Sequence, residues 1–404
     1  MQNTIENNIS HQDIGKKLEL FFMDDVSPGS CFFLPKGQYL YNRLVELMRK
    51  LYEKYGYDEV GTPIMCKSEL WKKSGHLEKY QENMYFIDDK EDEDNLDNKC
   101  GICPMNCPKH IKIFEHIHPS YKDLPVRLSD FGALHRKEPS GSLRGLTRVR
   151  MFHQDDGHVF CMRSQINDEI SSILEMMKYV YNLFGFEYDI AISTRPDNFI
   201  GDIDLWNEAE EILKNNASLL GEYHLKEGDG AFYGPKIDVM VKDSLGRKHQ
   251  LGTIQLDFVL PQRFSLQYQG KSQMETPVMI HRAIFGSLER FIAILLEHTS
   301  GRLPLWLSPR KIALIPVSDK FNDYCNTLLS TFQSLLGFKG IDIISHDKVN
   351  INVAFSESLK YNYILVIGKK ELDSSTISYR SSHKINTLPL SDFCKLLSSS
   401  NSFL

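Results

Sequence analysis

The chain has 404 residues, 42% of them hydrophobic and 25% charged, with a formal net charge of −6. That length suits two or three domains, each burying its own core. No apolar run approaches the ~20 residues needed to cross a bilayer, and residues 1–13 are polar where a secretory leader would be apolar. Eight cysteines in so long a chain do not make a disulfide framework. The expectation is a cytoplasmic protein with no membrane partner, whose thiols are buried small hydrophobes or metal ligands. The acidic balance counts against a long nucleic-acid surface. Residues 136–150 run the other way, with Arg136, Lys137, Arg144, Arg148 and Arg150 against Glu138 alone. Such local charge suits a polyphosphate or a strand end better than a long duplex.

In chain order, residues 39–55 place Leu40, Leu44, Leu47, Met48 and Leu51 on one helical face, with Gly56 as the stop. Residues 58–64 read as a short strand ending near Pro63. Residues 88–97 hold seven acids in ten and read as a solvated loop. Strand character returns at 124–131, 148–160, 232–241 and 250–260, separated by turn signals at 139–141 and 244–246. A helix is expected over 165–184 and another over 280–298. Strands and helices do not alternate strictly, so the spacing predicts an α+β fold with an antiparallel sheet. Residues 305–310 form a linker. The pattern then becomes β-α-β-α-β, with strands at 311–316, 340–344 and 363–368 and helices at 320–336 and 353–360. That is the mark of a small α/β domain over 311–404. Residues 398–400 read as a frayed serine tail.

Three signals compete for chemistry. Cys100, Cys103 and Cys107 lie close together, with His110, His116 and His118 after them, like half of a zinc knuckle. Cys107, His158 and His281 form a dispersed alternative. Gly270-Lys-Ser272 suggests a phosphate loop, but Ser265 stands where its first glycine must be.

PMNCPKH at 104–110, HRKEPSGSLRGLTRVRMFHQDDGH at 135–158 and MIHRAIFGSLERF at 279–291 closely resemble the threonyl-tRNA synthetases of class II. FYGPKID at 232–238 and LGTIQLDF at 251–258 resemble the same family, and the likeness runs from about Ile14 to Arg380. The resemblance implies a catalytic domain over 14–304, after a polar extension at 1–13. Its antiparallel sheet would have about six to seven strands flanked by helices, and the α/β domain would bind the anticodon. The implied reaction joins L-threonine to tRNA(Thr) through an adenylate, with ATP and Mg2+ as substrate.

For ATP the resemblance implies Arg136 on the α-phosphate, Arg148 on the γ-phosphate and Glu138 on the adenine amine, with Phe152 and Arg290 about the ring. Gln250, Thr253, Gln255 and Ser287 complete that set. Arginine suits phosphate because its planar fork meets the oxygens bidentately. Threonine would meet Asp156 at its hydroxyl and Tyr233 at its amine, with Gln154 and Lys236 near the carboxylate or phosphate. One zinc per chain, on Cys107, His158 and His281, would select threonine over valine through the hydroxyl. His76 matches a histidine that carries the proton in the transfer step. Glu371 and Arg380 match anticodon-reading positions, although 346–358 lacks the basic helix start of the relatives. Lys109 stands where the family usually has glycine.

Residues 52–63 resemble the first class II motif, which implies a homodimer. Relatives often carry N-terminal domains with a serine-editing site. The likeness begins near residue 14, so no cis editing is expected. A silent paralogue would be expected to lack an ATP arginine or a zinc ligand, whereas Arg136, Arg290, Cys107, His158 and His281 are all present. The zinc trio with Asp156 argues against a ligase for proline, glycine or histidine.

Overall fold

A mixed, mainly antiparallel sheet of eight strands organises the larger part of the chain. The computed structural model describes residues 9–87, 99–218, 221–243, 246–382 and 384–402. The acidic run at 88–97, residues 1–8 of the polar extension and residues 244–245 of the expected turn lie outside the described residues. The chain divides into two units, Met23–Cys31 with Met48–Ile294, and Met1–Phe22 with Phe32–Leu47 and Leu295–Leu404.

The eight strands lie in the order Tyr223–Lys226, Tyr188–Ser193, Lys236–Lys242, Lys248–Asp257, Val278–Ala283, Asp156–Cys161, Val126–Asp130 and Asp58–Glu59. Only the two outermost pairings are parallel. The sheet is one or two strands wider than expected because of short edge strands with little apolar signal, such as Tyr223–Lys226, which is mostly exposed. Helices Ile166–Phe184 and Ile203–Ala217 pack on the sheet. The apolar stripe expected within 39–55 is buried along helix Pro35–Tyr55.

Three expectations change. The helix expected over 280–298 is a strand, Val278–Ala283, followed by a helix, Leu288–Thr299. A continuous apolar run can be a central strand buried on both faces, and periodicity does not separate that from a buried helix. The turn between them passes through Gly286 at φ +70°, where a Cβ would lie 2.4 Å from the Leu251 carbonyl oxygen. The strand expected over 148–160 splits into Met151–His153, paired with Ala133–His135, and Asp156–Cys161 in the main sheet. Asp155 causes the break, because it points inward and accepts the Ile284 and Phe285 N–H groups at 2.7 and 3.0 Å. The strand expected over 250–260 ends at Asp257, whose carboxylate accepts the Val259 and Leu260 N–H groups and starts helix Val259–Arg263.

In the second unit, Ile341–Ile343, Ile312–Pro316 and Tyr363–Ile367 run parallel, as the alternation required. Thr376–Ser381 and Lys384–Pro389 extend that sheet antiparallel. The serines at 398–400 are not a loose tail. They form the last turn of helix Leu390–Ser400, pinned by buried Phe393 and Leu397.

Candidate active site

Strand register sets the centre of the site. His281 lies opposite His158 on one neighbouring strand and opposite Gln255 on the other. Cys107 enters from the first turn of helix Cys107–Ile117. These three side chains are buried, and Cys107, His158 and His281 bring one ligand atom each to within 4.8 Å of one another. Among the described residues no other three such groups converge. Cys100 and Cys103 are absent from the cluster, and His116 and His118 are exposed at the far end of their helix.

The ring nitrogens tell how the histidines would bind a metal. His281 Nε2 lies 2.9 Å from Asp257 Oδ2, which leaves Nδ1 to face His158 Nε2 at 3.1 Å. His158 Nδ1 lies 2.7 Å from His110 Nδ1. If His158 donates its Nδ1 proton to His110, its Nε2 lone pair is free, and that tautomer alone makes it a ligand. A Cys–His–His donor set with its outer nitrogens engaged fits a zinc-type ion with open positions. Burial pushes the Cys107 thiol well up and the His158 imidazole well down. A divalent cation would reverse the first penalty and profit from the second.

The trio lines a cavity of about 500 Å³. Arg136, Arg148 and Arg290 line the same cavity. Arg136 lies over the Phe152 ring at 4.9 Å, and Arg148 Nε donates to Glu138 at 2.9 Å. The Thr147 and Gln250 carbonyls hold the Arg290 guanidinium at 3.0 and 2.9 Å. Burial lowers the pKa of Arg290, and repulsion from Arg136 and Arg148 lowers it further. Three cations that repel one another around a void form a site for a multiply charged anion.

Gln154, Asp156, Tyr233, Lys236, Gln250, Thr253, Gln255 and Ser287 also line this cavity. Tyr233 stacks on His281 at 5.0 Å and donates to Gln255 at 2.8 Å. Buried Asp238 organises this wall by accepting from Gln250 at 2.6 Å and Thr253 at 3.1 Å, with Lys236 Nζ 3.1 Å away. Burial raises the Asp156 carboxyl, against nearby His110 and His281. Ser287 accepts from the Arg290 N–H and donates to Glu289.

Three residues lie elsewhere. His76 is fully buried behind the cavity wall, its Nδ1 2.8 Å from Ser74 Oγ and its Nε2 3.0 Å from the Met105 sulfur. Burial brings its pKa down to about 3, with His281 and Arg136 adding to the effect. In the second unit, Glu371 accepts the Gly368 N–H at 3.0 Å and caps its own helix. Arg380 pairs with Glu357 at 2.9 Å beside Asn350 and Val353, in a shallow depression.

The sequence pointed to neither Asp238 nor Asp257, offered His110 only as a knuckle ligand and gave Arg282 no role. Asp238 carried a signal, since it is an acid among the apolar residues of Lys236–Lys242. Arg282 lies buried between the Tyr52 and Tyr57 rings at 4.5 and 4.3 Å and donates to the Tyr52 hydroxyl and the Asp155 carbonyl. A Cβ on Gly157 would fall 2.3 Å from its guanidinium carbon, so the strand needs glycine there.

Residues 85–299 match the tRNA synthetase class II core domain (G, H, P, S and T), and residues 311–400 match an anticodon binding domain. The chain is 46% identical over 376 residues to cytoplasmic threonine–tRNA ligase 1 of Rattus norvegicus, covering 92% of this chain and 53% of that protein. The Homo sapiens counterpart is 47% identical over the same length, which is 51% of it. The chain thus spans about half the length of these curated relatives. The crystal structure of the RNA binding domain of threonyl-tRNA synthetase from Cryptosporidium parvum Iowa II is similar with a TM-score of 0.91 and 44% identity, covering 97% of this chain and 98% of that one.

Proposed function

We propose that this chain, which belongs to the threonyl-tRNA synthetases of class II, activates L-threonine with ATP and Mg2+ and passes it to tRNA(Thr). The observation that carries the reading is one cavity lined both by three arginines and by a Cys–His–His donor set. The threonine carboxylate is already an anion, so its attack on the α-phosphate needs no general base. Arg136 and Arg148 hold the phosphates and meet the developing charge, Arg290 and Phe152 enclose the adenine ring, and positioning with charge stabilisation supplies most of the rate. Glu138, Phe152, Gln250, Thr253, Gln255 and Ser287 form the rest of the nucleotide wall. Asp238 keeps that wall rigid.

Cys107, His158 and His281 would hold one zinc, whose Lewis acidity would favour a substrate that carries both an amine and a hydroxyl. Asp156 accepts the hydroxyl proton of threonine, while Tyr233, Gln154 and Lys236 orient its amine and carboxylate. A site built around a hydroxyl rejects valine by ~10⁴-fold or more, whereas serine lacks only a methyl, worth about 10–200-fold. Serine is therefore the dangerous competitor at this pocket. In the transfer step His76, held neutral by burial, accepts the proton of the terminal ribose once Met105 and Tyr233 yield to the tRNA end. Cytoplasmic action, a homodimer built on residues 52–63, and an anticodon contact through Arg380 and Glu371 complete the proposal. Among the described residues no helix is long and apolar enough to cross a membrane.

The test is amino-acid-dependent pyrophosphate exchange with threonine, valine and serine, with and without a chelator. Exchange with threonine, little with valine, intermediate exchange with serine, and loss on chelation are expected. Equal exchange with valine would sink the metal-selection reading.

A further inference from the structure

Three features near the active site have no part in that reaction: Cys66, Cys103 and Lys109. Strand Met65–Lys67 pairs antiparallel with Cys100–Ile102, placing Cys66 opposite Gly101. The Cys103 N–H continues the ladder to the Ile64 carbonyl at 2.9 Å, so Cys66 and Cys103 share one face of the ribbon. Their sulfurs are 3.6 Å apart, and the Cys103 thiol also lies 3.6 Å from the Pro63 carbonyl. Buried Lys109 donates to that same carbonyl at 3.2 Å. Cys103 is wholly buried beside Trp71, Leu77 and Met84, whereas Cys66 is half-buried.

From this geometry we propose that Cys66 and Cys103 form a reversible disulfide when hydrogen peroxide reaches Cys66. A disulfide needs about 2 Å between sulfurs, so the pair must close by about 1.5 Å. The Cys66 thiolate attacks one peroxide oxygen, the O–O bond breaks, and the departing hydroxide takes a proton to leave as water. Cys66 is then a sulfenic acid. The Cys103 sulfur attacks the Cys66 sulfur and the S–O bond breaks. The hydroxyl leaves as a second water with the Cys103 proton. Two electrons have passed from the dithiol to the peroxide.

The roles of the two thiols follow from their surroundings. The hydrogen bond from Cys103, with Lys109 adding its charge, holds the Cys66 thiol below its ordinary range, which favours the attacking thiolate. Half-buried Cys31 and buried Cys161 are instead pushed up to about 12 by desolvation and are poor nucleophiles. A transient disulfide of this kind fits a reducing compartment, where structural disulfides do not persist.

The bond would also reach the nucleotide site, a consequence that rests on the proposed function. The His135 N–H donates to the Cys103 carbonyl at 3.0 Å, and Arg136 Nε to the Pro104 carbonyl at 3.4 Å. Tying Cys103 to the neighbouring strand moves the backbone on which Arg136 leans. Oxidation should therefore slow threonine activation, and a thiol reductant should restore it.

The experiment treats the intact chain with hydrogen peroxide and follows mass, free thiols and pyrophosphate exchange. The wild type should lose two hydrogens, fall from eight titratable thiols to six, and yield a peptide linking Cys66 to Cys103. Dithiothreitol should reverse all three changes. Cys103→Ser should leave a trappable sulfenic acid on Cys66, and Cys66→Ser should form no disulfide. A linkage between other cysteines, or sulfinic acid on Cys66 of the wild type, would overturn the proposal. An enzyme inactive before oxidation would count against the functional reading alone, because the mass and peptide results do not depend on turnover.

Discussion

In the five-stranded unit the interior is Leu314, Phe332, Leu365 and Phe393, and the buried cation beside it, Lys311, is held by the Leu336 carbonyl and Asn401. In the eight-stranded unit Asp156, His158, Asp238, Asp257 and His281 are all buried on strands. Lys311 is a local accommodation, satisfied by the nearest acceptors. The larger sheet gathers mutually dependent charges, each oriented by the next, around a space. Several buried polar groups gathered beside a cavity mark a site; a lone buried cation satisfied by its nearest acceptors marks packing.

The largest effects should come from removing a group that faces the cavity. Cys107→Ala should lose bound zinc and, with it, threonine-dependent exchange. Arg136→Ala should keep the metal and lower exchange by about 10²–10³-fold, as loss of one transition-state donor does. Metal analysis beside exchange separates the two. An Arg136→Ala protein without metal would mean that the arginines and the metal ligands are not independent.

Smaller effects should follow from the residues that orient the ligands. Asp257→Asn and His110→Ala should each weaken zinc affinity by about 10–100-fold, read by competition with a metal-binding dye. Unchanged affinity in His110→Ala would remove it from that role.

In the other unit the largest effect should be on stability. Burial lowers the Lys311 pKa from 10.5 to about 8. Below about pH 8 both folded and unfolded states carry the proton, and the burial penalty is fully present. Between about 8 and 10.5 the folded state has released it, so stability rises with pH. Lys311→Met should raise unfolding free energy at pH 7 by on the order of 1–3 kcal/mol and flatten that rise. A wild-type denaturation midpoint that does not climb over this interval would refute it.

The smallest effect belongs to Arg380→Ala. Its ion pair with Glu357 is partly exposed, and such pairs contribute about 0–1 kcal/mol to stability. The change should raise KM for tRNA several-fold while leaving pyrophosphate exchange intact. An effect on exchange would contradict a role limited to tRNA.

Much of the smaller unit was legible because its pattern is local. Alternating strands and helices of distinct period, as in Ile312–Pro316 and Asn322–Leu336, require no knowledge of partners. Its closing hairpin, Thr376–Ser381 with Lys384–Pro389, escaped notice because the second strand is mostly exposed and carries no apolar alternation. The candidate site was legible for a different reason. Its residues stand in long, specific strings, so Cys107, His158 and His281 could be named across 174 positions of sequence. The ligand rings could be named but not oriented.

By itself, then, the sequence determined the α+β class, the apolar faces of its helices and the identity of the groups that line the cavity, because side-chain chemistry and short-range period are written locally. Only the tertiary structure decided that residues 278–283 are a strand and that His281 faces His158 across it. It also decided that Asp257, Asp238 and His110 orient the site, and that Cys103 meets Cys66 rather than Cys107. Those outcomes depend on pairing register and on which buried polar group finds which partner. Desolvation makes such choices binding, and they are settled between segments far apart in the chain.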